Sequence, residues 1–280
     1  MTAISLLHLL RPVCLLSLLN LPWLAACPVA AQTAPAATVA PVTVALDGIS
    51  TQEQLSQWLH FYYQNPHPDQ VVPALLAASK LGLFKGGKPS PPFSGFLAGW
   101  LAHNPAQAAS LIEASAALPA DEQGIVIIGL TYSGLPQTKA LLEKLRQRMQ
   151  ADANRLPPLR EPLSLLDVPL ENGPAVLDAL WGYFMAAGDE APVLKIMTAL
   201  PWVESRDKAQ LLLGGAAKWS LTSNATQHPR VLDICRAQLA LQAPDVRKVL
   251  AEVIRSAEKE LRDGTADKHG TPAPQKAQDQ

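Results

Sequence analysis

The sequence predicts an all-α protein, an irregular array of about ten helices arranged in pairs. Three observations support this fold class. Apolar residues recur at steps of three and four through residues 50–262, which is the spacing of a helix face. Prolines stand at the beginning of successive apolar stretches, as expected for first helical turns. No window alternates apolar and polar residues regularly enough to predict a strand.

The apolar pattern predicts eleven helical segments, and we expect one of the shorter segments not to form. The last segment has the clearest stripe, with Asp245 in its first turn, where a carboxylate suits the helix dipole. Gly264 follows its expected end, where a left-handed residue is favoured. The segments lie near residues 51–64, 68–83, 93–103, 105–118, 120–133, 135–150, 174–187, 190–200, 203–220, 229–241 and 244–262.

Proline marks the beginning of many of these helices. Its missing amide hydrogen and its fixed φ suit the first helical turn. The intervals from Pro68 to Pro105 and from Pro192 to Pro229 are each 37 residues, near the length of a helix–turn–helix repeat. Other intervals share no period, so we expect a degenerate array. The prolines are Pro68, Pro105, Pro174, Pro192, Pro229 and Pro244.

Three stretches depart from the helical pattern. Residues 123–132 carry a β-branched run, but a lone strand would have no partner, so we expect a buried helix. Residues 85–92 predict a basic loop rich in Gly and Pro. Residues 151–172 contain four prolines and predict a long connection that marks a boundary between two subdomains.

The N-terminus predicts an export signal. Residues 12–46 contain no charged side chain, and Arg11 precedes the apolar run. Small residues at Val29-Ala30-Ala31 suit cleavage, so that residues 1–31 would be a signal peptide.

Two other interpretations of this leader stay open. The motif Leu24-Ala25-Ala26-Cys27 resembles the lipobox of bacterial lipoproteins, which implies a lipoprotein signal over residues 1–26 and a diacylated Cys27. Pro28 is uncommon after such a cysteine. Residues 12–31 are also about as long as the roughly 20 residues that span a bilayer, so an uncleaved anchor is the third interpretation.

Every interpretation of the leader places the domain outside the cytoplasm. We expect a periplasmic or secreted protein, with a membrane-anchored lipoprotein as the alternative. Residues 32–49 are rich in Ala, Pro, Thr and Val and predict a flexible tether to the helical domain of residues 50–262. Residues 263–280 are polar and predict a disordered tail.

Charge and cysteine content exclude several function classes. Arg11 is the only one of the 23 Lys and Arg residues within the leader, so 22 remain against 24 Asp and Glu. This balance gives no bulk attraction for nucleic acid. Cys235 is the only cysteine after the leader, which rules out an internal disulfide and predicts a small buried apolar side chain.

No motif predicts a catalytic, cofactor or metal site. Gly82–Lys88 matches a phosphate-binding loop, but Pro89 replaces the Ser or Thr that holds Mg²⁺. His60 and His67 are seven residues apart and separated by a proline, which does not suit a pair of metal ligands. His103 and His228 stand at helix ends beside proline, where capping or solvation explains them.

Aromatic residues give the strongest hint of a binding surface. Large rings between helices usually belong to the core. The alternative is a groove in which rings grip a peptide or a glycan, and Trp58 and Tyr62 would be neighbours on its wall. The candidate groove residues are Trp58, Tyr62, Trp100 and Trp181.

Residues 178–189 and 192–197 resemble a segment common in exported bacterial helical proteins of uncharacterised function. Residues 63–66, and Phe96-Leu97-Ala98 with Asn104-Pro105, are similar to the N-terminal half of those proteins. The expected packing is also similar to that of tetratricopeptide-like α-solenoids, without that repeat's residue signature. The resemblance implies no catalytic residue and no cofactor.

We therefore expect a module that binds an envelope protein or peptide, because stacked helix pairs present an extended surface. The alternative is an envelope hydrolase or glycan-binding helical domain whose acidic residues converge only in three dimensions. An open groove without converging acid, base or nucleophile would favour binding. A pocket containing a perturbed Asp, Glu or His would favour the hydrolase.

Overall fold

The computed structural model of the protein describes residues 49–87, 90–148 and 163–268. Within these ranges it contains eleven α-helices and no strand, which confirms the all-α array. The helices are α1 Gln52–Phe61, α2 Val71–Lys80, α3 Pro91–His103, α4 Ala108–Ser115, α5 Gly124–Thr131, α6 Thr138–Arg148, α7 Pro174–Ala187, α8 Glu190–Met197, α9 Lys208–Gln227, α10 Pro229–Gln238 and α11 Pro244–Lys268.

Several predictions concern residues outside the described ranges. These are the export signal with Cys27, nearly all of the tether, residues 151–162 of the long connection, and residues 269–280 of the tail. Among the residues that are described, no helix is long and apolar enough to cross a bilayer.

Helices α3 and α7 form the centre of the fold and touch backbone to backbone. A Cβ added to Gly95 of α3 would lie 1.8 Å from the carbonyl oxygen of Ala179 on α7. A Cβ added to Gly182 of α7 would lie 1.8 Å from the carbonyl oxygen of Pro92 on α3. No side chain fits in either place, so the two glycines set the distance between the helices.

The N-terminal helices pack around the α3–α7 pair, and α1 contacts both of these helices. Trp58 and Tyr62 of the α1 region lie against Phe96, with ring centroids 6.0 and 5.0 Å away. Helix α5 packs on α3 where Gly129 meets the Leu97 side chain. Most of α5 is buried, which confirms that the β-branched run at 123–132 is a buried helix.

The C-terminal helices form a second group that packs on α7 through α8. Helices α9 and α11 run side by side in the same direction, linked by Lys218 to Glu252 at 2.6 Å and by Thr226 to Glu260 at 3.2 Å. Helix α10 packs on both. Its Cys235 is fully buried, as predicted for a small apolar side chain.

One hydrophobic core contains buried residues from both groups. Helices α3 and α7 lie on either side of the predicted subdomain boundary at 151–172, so this boundary does not divide the core. The described part of that connection is held by two short 3-10 turns, Leu165–Asp167 and Leu170–Asn172.

All eleven predicted segments contain a helix, so the expectation that one of the shorter segments would not form is wrong. Most ends differ from the predicted ones by up to four residues, and in two helices an end differs by five or more. Helix α9 begins at Lys208 instead of near 203, because Leu200–Glu204 forms a 3-10 turn and the Asp207 carboxylate accepts the amide hydrogen of Gln210. Helix α11 runs through Gly264 to Lys268, six residues beyond the end near residue 262 that the apolar pattern predicts. A glycine inside a helix costs only about 1 kcal/mol relative to alanine, which a long packed helix tolerates.

The α3–α7 contact predicts a large difference between two glycine substitutions. We expect Gly95→Ala to lower the free energy of unfolding by about 3 kcal/mol, because its Cβ collides with backbone that has no room to move. Gly215→Ala on α9 is the matched control. No atom lies within 4 Å of its added Cβ, so we expect a gain of roughly 0.5–1 kcal/mol. Urea unfolding followed by circular dichroism measures both, and equal effects would contradict the close contact.

Candidate functional site

An apolar pocket of about 190 Å³ opens between α3, α5, α7 and the chain that follows Leu163. Two of its walls are the first turns of α3 and α7, and a third is the end of α5. The lining residues are Pro91, Ser94, Gly95, Ile128, Tyr132, Leu165, Val168, Ala175, Val176 and Ala179.

The α3–α7 contact positions the floor of this pocket. Gly95 and Ala179 lie against each other at the crossing, so neither contributes a side chain that would fill the space. The Ser94 hydroxyl, close by, donates a hydrogen bond to the carbonyl oxygen of Ser90 at 3.1 Å. Its hydrogen is therefore already used within the first turn of α3.

Backbone hydrogen bonds hold the remaining wall in place. The amide of Leu163 donates to the carbonyl oxygen of Thr131 at 3.2 Å, and the amide of Leu165 donates to that of Tyr132 at 3.0 Å. These bonds fasten the chain to the end of α5. They leave Leu165 and Val168 beside the cavity.

The pocket contains no group that performs acid–base chemistry near neutral pH. Asp, Glu, His, Lys and Arg do not occur among its ten lining residues. The two hydroxyl side chains of the lining, Ser94 and Tyr132, have no histidine or carboxylate beside them in the lining. The arrangement suits the burial of an apolar group.

Acidic residues do occur beside a second cavity of about 60 Å³. Asp121 and Glu122 line it together with Gly87 of the basic loop. The Glu122 side chain is buried and accepts a hydrogen bond from the Ser79 hydroxyl at 2.5 Å. Carboxylates beside this loop oppose the binding of phosphate, in agreement with the departure of its sequence from a phosphate-binding motif.

The Nε2 atom of His103 lies 2.8 Å from Oδ2 of Asp189, and both side chains are about two-fifths exposed. The other ring nitrogen of His103 bonds to the carbonyl oxygen of Gly99 at 2.8 Å, so this histidine caps the end of α3 as predicted. Neither residue lines either cavity. Within the described part of the chain, no group of His, Cys, Asp and Glu is arranged to hold a metal ion.

The prediction that capping or solvation explains His228 is wrong. Its side chain is 1 % exposed and lies among the rings of Phe61, Tyr63 and Phe184. The distance from Tyr63 Oη to His228 Nδ1 is 3.3 Å. Burial, and to a smaller extent the neighbouring His60, lower the pKa of His228 to about 4. Burial also lowers the pKa of His60.

The four candidate groove aromatics are all buried. Trp58 and Trp181 are 8 % exposed, Tyr62 is 4 % exposed and Trp100 is fully enclosed. The structure therefore places them where the core interpretation expects them, and none of them lines the apolar pocket. Their enclosure removes the faces that would stack on a peptide or sugar.

A different tryptophan is exposed, and the aromatic pattern did not single it out. Trp219 on α9 is 64 % exposed, and Leu212 of the same helix is 75 % exposed. The sequence signal was the presence of apolar residues around the whole circumference of α9, which indicates more apolar surface than one packing face needs.

Comparison with known proteins adds no further assignment. No protein-family model, no curated protein and no solved structure matches this chain. The resemblance to exported bacterial helical proteins stays a prediction from the sequence.

The buried His228 predicts acid sensitivity. Its native pKa of about 4 lies below the ordinary histidine value of 6.5, so the unfolded chain binds the proton more readily between these pH values. The stabilisation is complete above pH 6.5 and is lost as the pH falls towards 4. We expect a loss of up to about 3 kcal/mol in the free energy of unfolding over this range.

Urea unfolding at a series of pH values measures this loss. His228→Asn removes one titrating ring and should reduce the dependence between pH 6.5 and pH 4, while the lowered pKa of His60 leaves part of it. His67→Asn is the control, because His67 is not among the rings that surround His228. We expect this variant to keep the wild-type dependence of stability on pH. If His228→Asn and wild type had the same pH dependence, His228 would not be the group responsible.

Proposed function

We propose that the protein binds another protein or a peptide, and that the apolar pocket between α3, α5 and α7 takes up an apolar side chain of that partner. The observation that carries the proposal is a half-open cavity of about 190 Å³ whose lining contains no charged residue. Burial of an apolar group against such a lining is favourable, and the lining offers no charged residue that could pair with an ionic ligand.

The size of the pocket suits one side chain. A cavity of about 150 Å³ lined by apolar groups is large enough for benzene, whereas small-molecule sites usually occupy roughly 300–1,000 Å³. The pocket of about 190 Å³ therefore matches a phenylalanine or leucine side chain presented by a larger partner.

The walls of the pocket are rigid enough to receive a partner without reorganisation. Two of them are helices in backbone contact at Gly95 and Ala179, and a third is held by the hydrogen bonds of Leu163 and Leu165. A preformed pocket loses little conformational entropy when it is filled.

The hydrolase or glycan-binding alternative has less support. Its carboxylates would have to converge on an accessible pocket, and Glu122, the buried one beside the smaller cavity, is engaged by Ser79. The candidate aromatics that would stack on a sugar are enclosed in the core.

We place this binding activity in the bacterial envelope, on the basis of the leader. Its apolar run and the small residues at Val29-Ala30-Ala31 support export. The partner is then an envelope protein or peptide. A membrane tether through Cys27, or through an uncleaved leader, is the alternative to soluble export.

Filling the pocket should weaken partner binding. Ala175 lines the pocket but its side chain is exposed, so Ala175→Phe places a ring in the cavity without disturbing the core. Ala237→Phe, on the exposed side of α10, is the matched control. Peptides are first selected from a displayed random library against the full chain, and their affinities for each variant are measured by calorimetry.

We expect the selected peptides to share one apolar residue. Ala175→Phe should weaken their binding at least about tenfold, as loss of an anchoring pocket typically does, and Ala237→Phe should leave it unchanged. A melting temperature close to that of wild type would show that Ala175→Phe is folded. Undiminished binding by the folded Ala175→Phe variant would contradict the proposed role of the pocket.

The leader proposal predicts the form of the exported chain. We expect mass spectrometry to find a product that begins at Gln32, and radioactive palmitate to label neither wild type nor Cys27→Ser, because Pro28 disfavours the lipoprotein signal. A known lipoprotein labelled in the same cells is the control. Label that appears in wild type and disappears in Cys27→Ser would replace soluble export by a lipid anchor.

A further inference from the structure

Helix α9 carries an exposed apolar stripe that runs beside its contact with α11. Leu212, Gly215 and Trp219 follow one another at steps of three and four residues, so they lie on one line along the helix. Leu212 is 75 % exposed and Trp219 is 64 % exposed, and Leu211, 43 % exposed, flanks them. We call these four residues the α9 outer face.

Packing within one copy of the chain does not explain why residue 215 is a glycine. A Cβ on the preceding residue, Gly214, would lie 2.5 Å from the amide nitrogen of Val203, so that glycine is required by internal packing. A Cβ on Gly215 would meet no atom of the described residues within 4 Å. Glycine weakens a helix interior, but it allows a second backbone to approach closely.

The α9 outer face is complementary to itself. When two copies of α9 lie antiparallel with the symmetry axis between Gly215 and Ala216, Trp219 of each copy faces Leu212 of the other. The two small residues meet at the centre and leave room for the rings on either side. A surface that pairs with its own copy in this way forms a closed two-fold dimer.

Charge also favours a second copy over a lipid surface. Helix α9 contains only two charged residues, Lys208 and Lys218, and Lys218 is paired with Glu252 at 2.6 Å. In the antiparallel arrangement Lys208 faces Ser223, so the charged residues of the two α9 helices do not face each other. A helix that binds an anionic membrane surface carries several Lys or Arg residues around its apolar face, and α9 does not.

We propose that the α9 outer face binds a second copy of this chain, in an antiparallel two-fold contact centred on Gly215. A helix of 20 residues is about 30 Å long and 10 Å wide, so the contact covers roughly 300 Å² per copy, against about 800 Å² in a standard interface. The dimer is therefore weak and exchanges readily. This surface is separate from the apolar pocket, and the proposal does not depend on peptide binding.

Disulfide crosslinking of the full chain in intact cells tests the proposal. Gly215→Cys introduces a thiol at the proposed symmetry axis, where no neighbour obstructs it. Ala237→Cys, exposed on α10, is the matched control and contains the same native cysteines. After mild oxidation we expect Gly215→Cys to yield a product of twice the chain mass, at least five times more abundant than in Ala237→Cys.

A charge introduced into the α9 outer face distinguishes crosslinking through the proposed dimer from crosslinking through random collisions. Adding Trp219→Asp to Gly215→Cys buries an unpaired carboxylate in the dimer, so we expect the crosslinked product to fall to the level of Ala237→Cys. Trp219 is exposed, so this change leaves the fold of one copy intact, which a circular-dichroism melt checks.

Three results would overturn the proposal. The first is no excess of dimer in Gly215→Cys over the control. The second is an excess that persists when Trp219→Asp is added. The third is crosslinking of Gly215→Cys to a protein of different mass, which would assign the face to another partner. None of these results bears on the Ala175→Phe experiment, so the two proposals fail independently.

Discussion

The backbone contact between α3 and α7 is the constraint on which the rest of the structure depends. Gly95 and Gly182 each approach a carbonyl oxygen of the other helix at a distance that no Cβ tolerates. Helix α5 packs on α3, whereas α1 and α8 both pack on α7, so this crossing holds the two groups together. It also determines the apolar pocket, because Gly95 and Ala179 form its floor at the same crossing.

The pocket and the α9 outer face are apolar because the core encloses the polar residues that could take part in chemistry. The histidine with the most perturbed pKa, His228, is enclosed by rings, and the buried Glu122 is bonded to Ser79. The pocket and the α9 outer face are left with apolar side chains. Both accessible features therefore favour recognition of apolar groups over bond-breaking chemistry, which is why the two proposals concern binding.

The sequence predicted the helices well and their packing poorly. Helix periodicity and initial prolines located all eleven segments, including α5, where β-branched residues competed with the helical interpretation. The contact of Gly95 with Ala179 joins residues 84 positions apart, and no local pattern encodes such a pairing. No local pattern predicts the burial of His228 either, nor a pocket that is assembled from four separate stretches of chain. Aromatic residues were judged by type and spacing, which do not distinguish the enclosed Trp100 from the exposed Trp219.

The buried thiol of Cys235 makes the local opening of the C-terminal helices measurable by chemical modification. Burial raises the pKa of this thiol to about 12, so it is almost entirely uncharged and shielded from reagents in the native state. An alkylating probe reaches it only when α10 separates from the helices on which it packs, which are α8, α9 and α11. The rate of modification therefore reports how often α10 opens. This local opening can be measured without introducing a new cysteine into the chain.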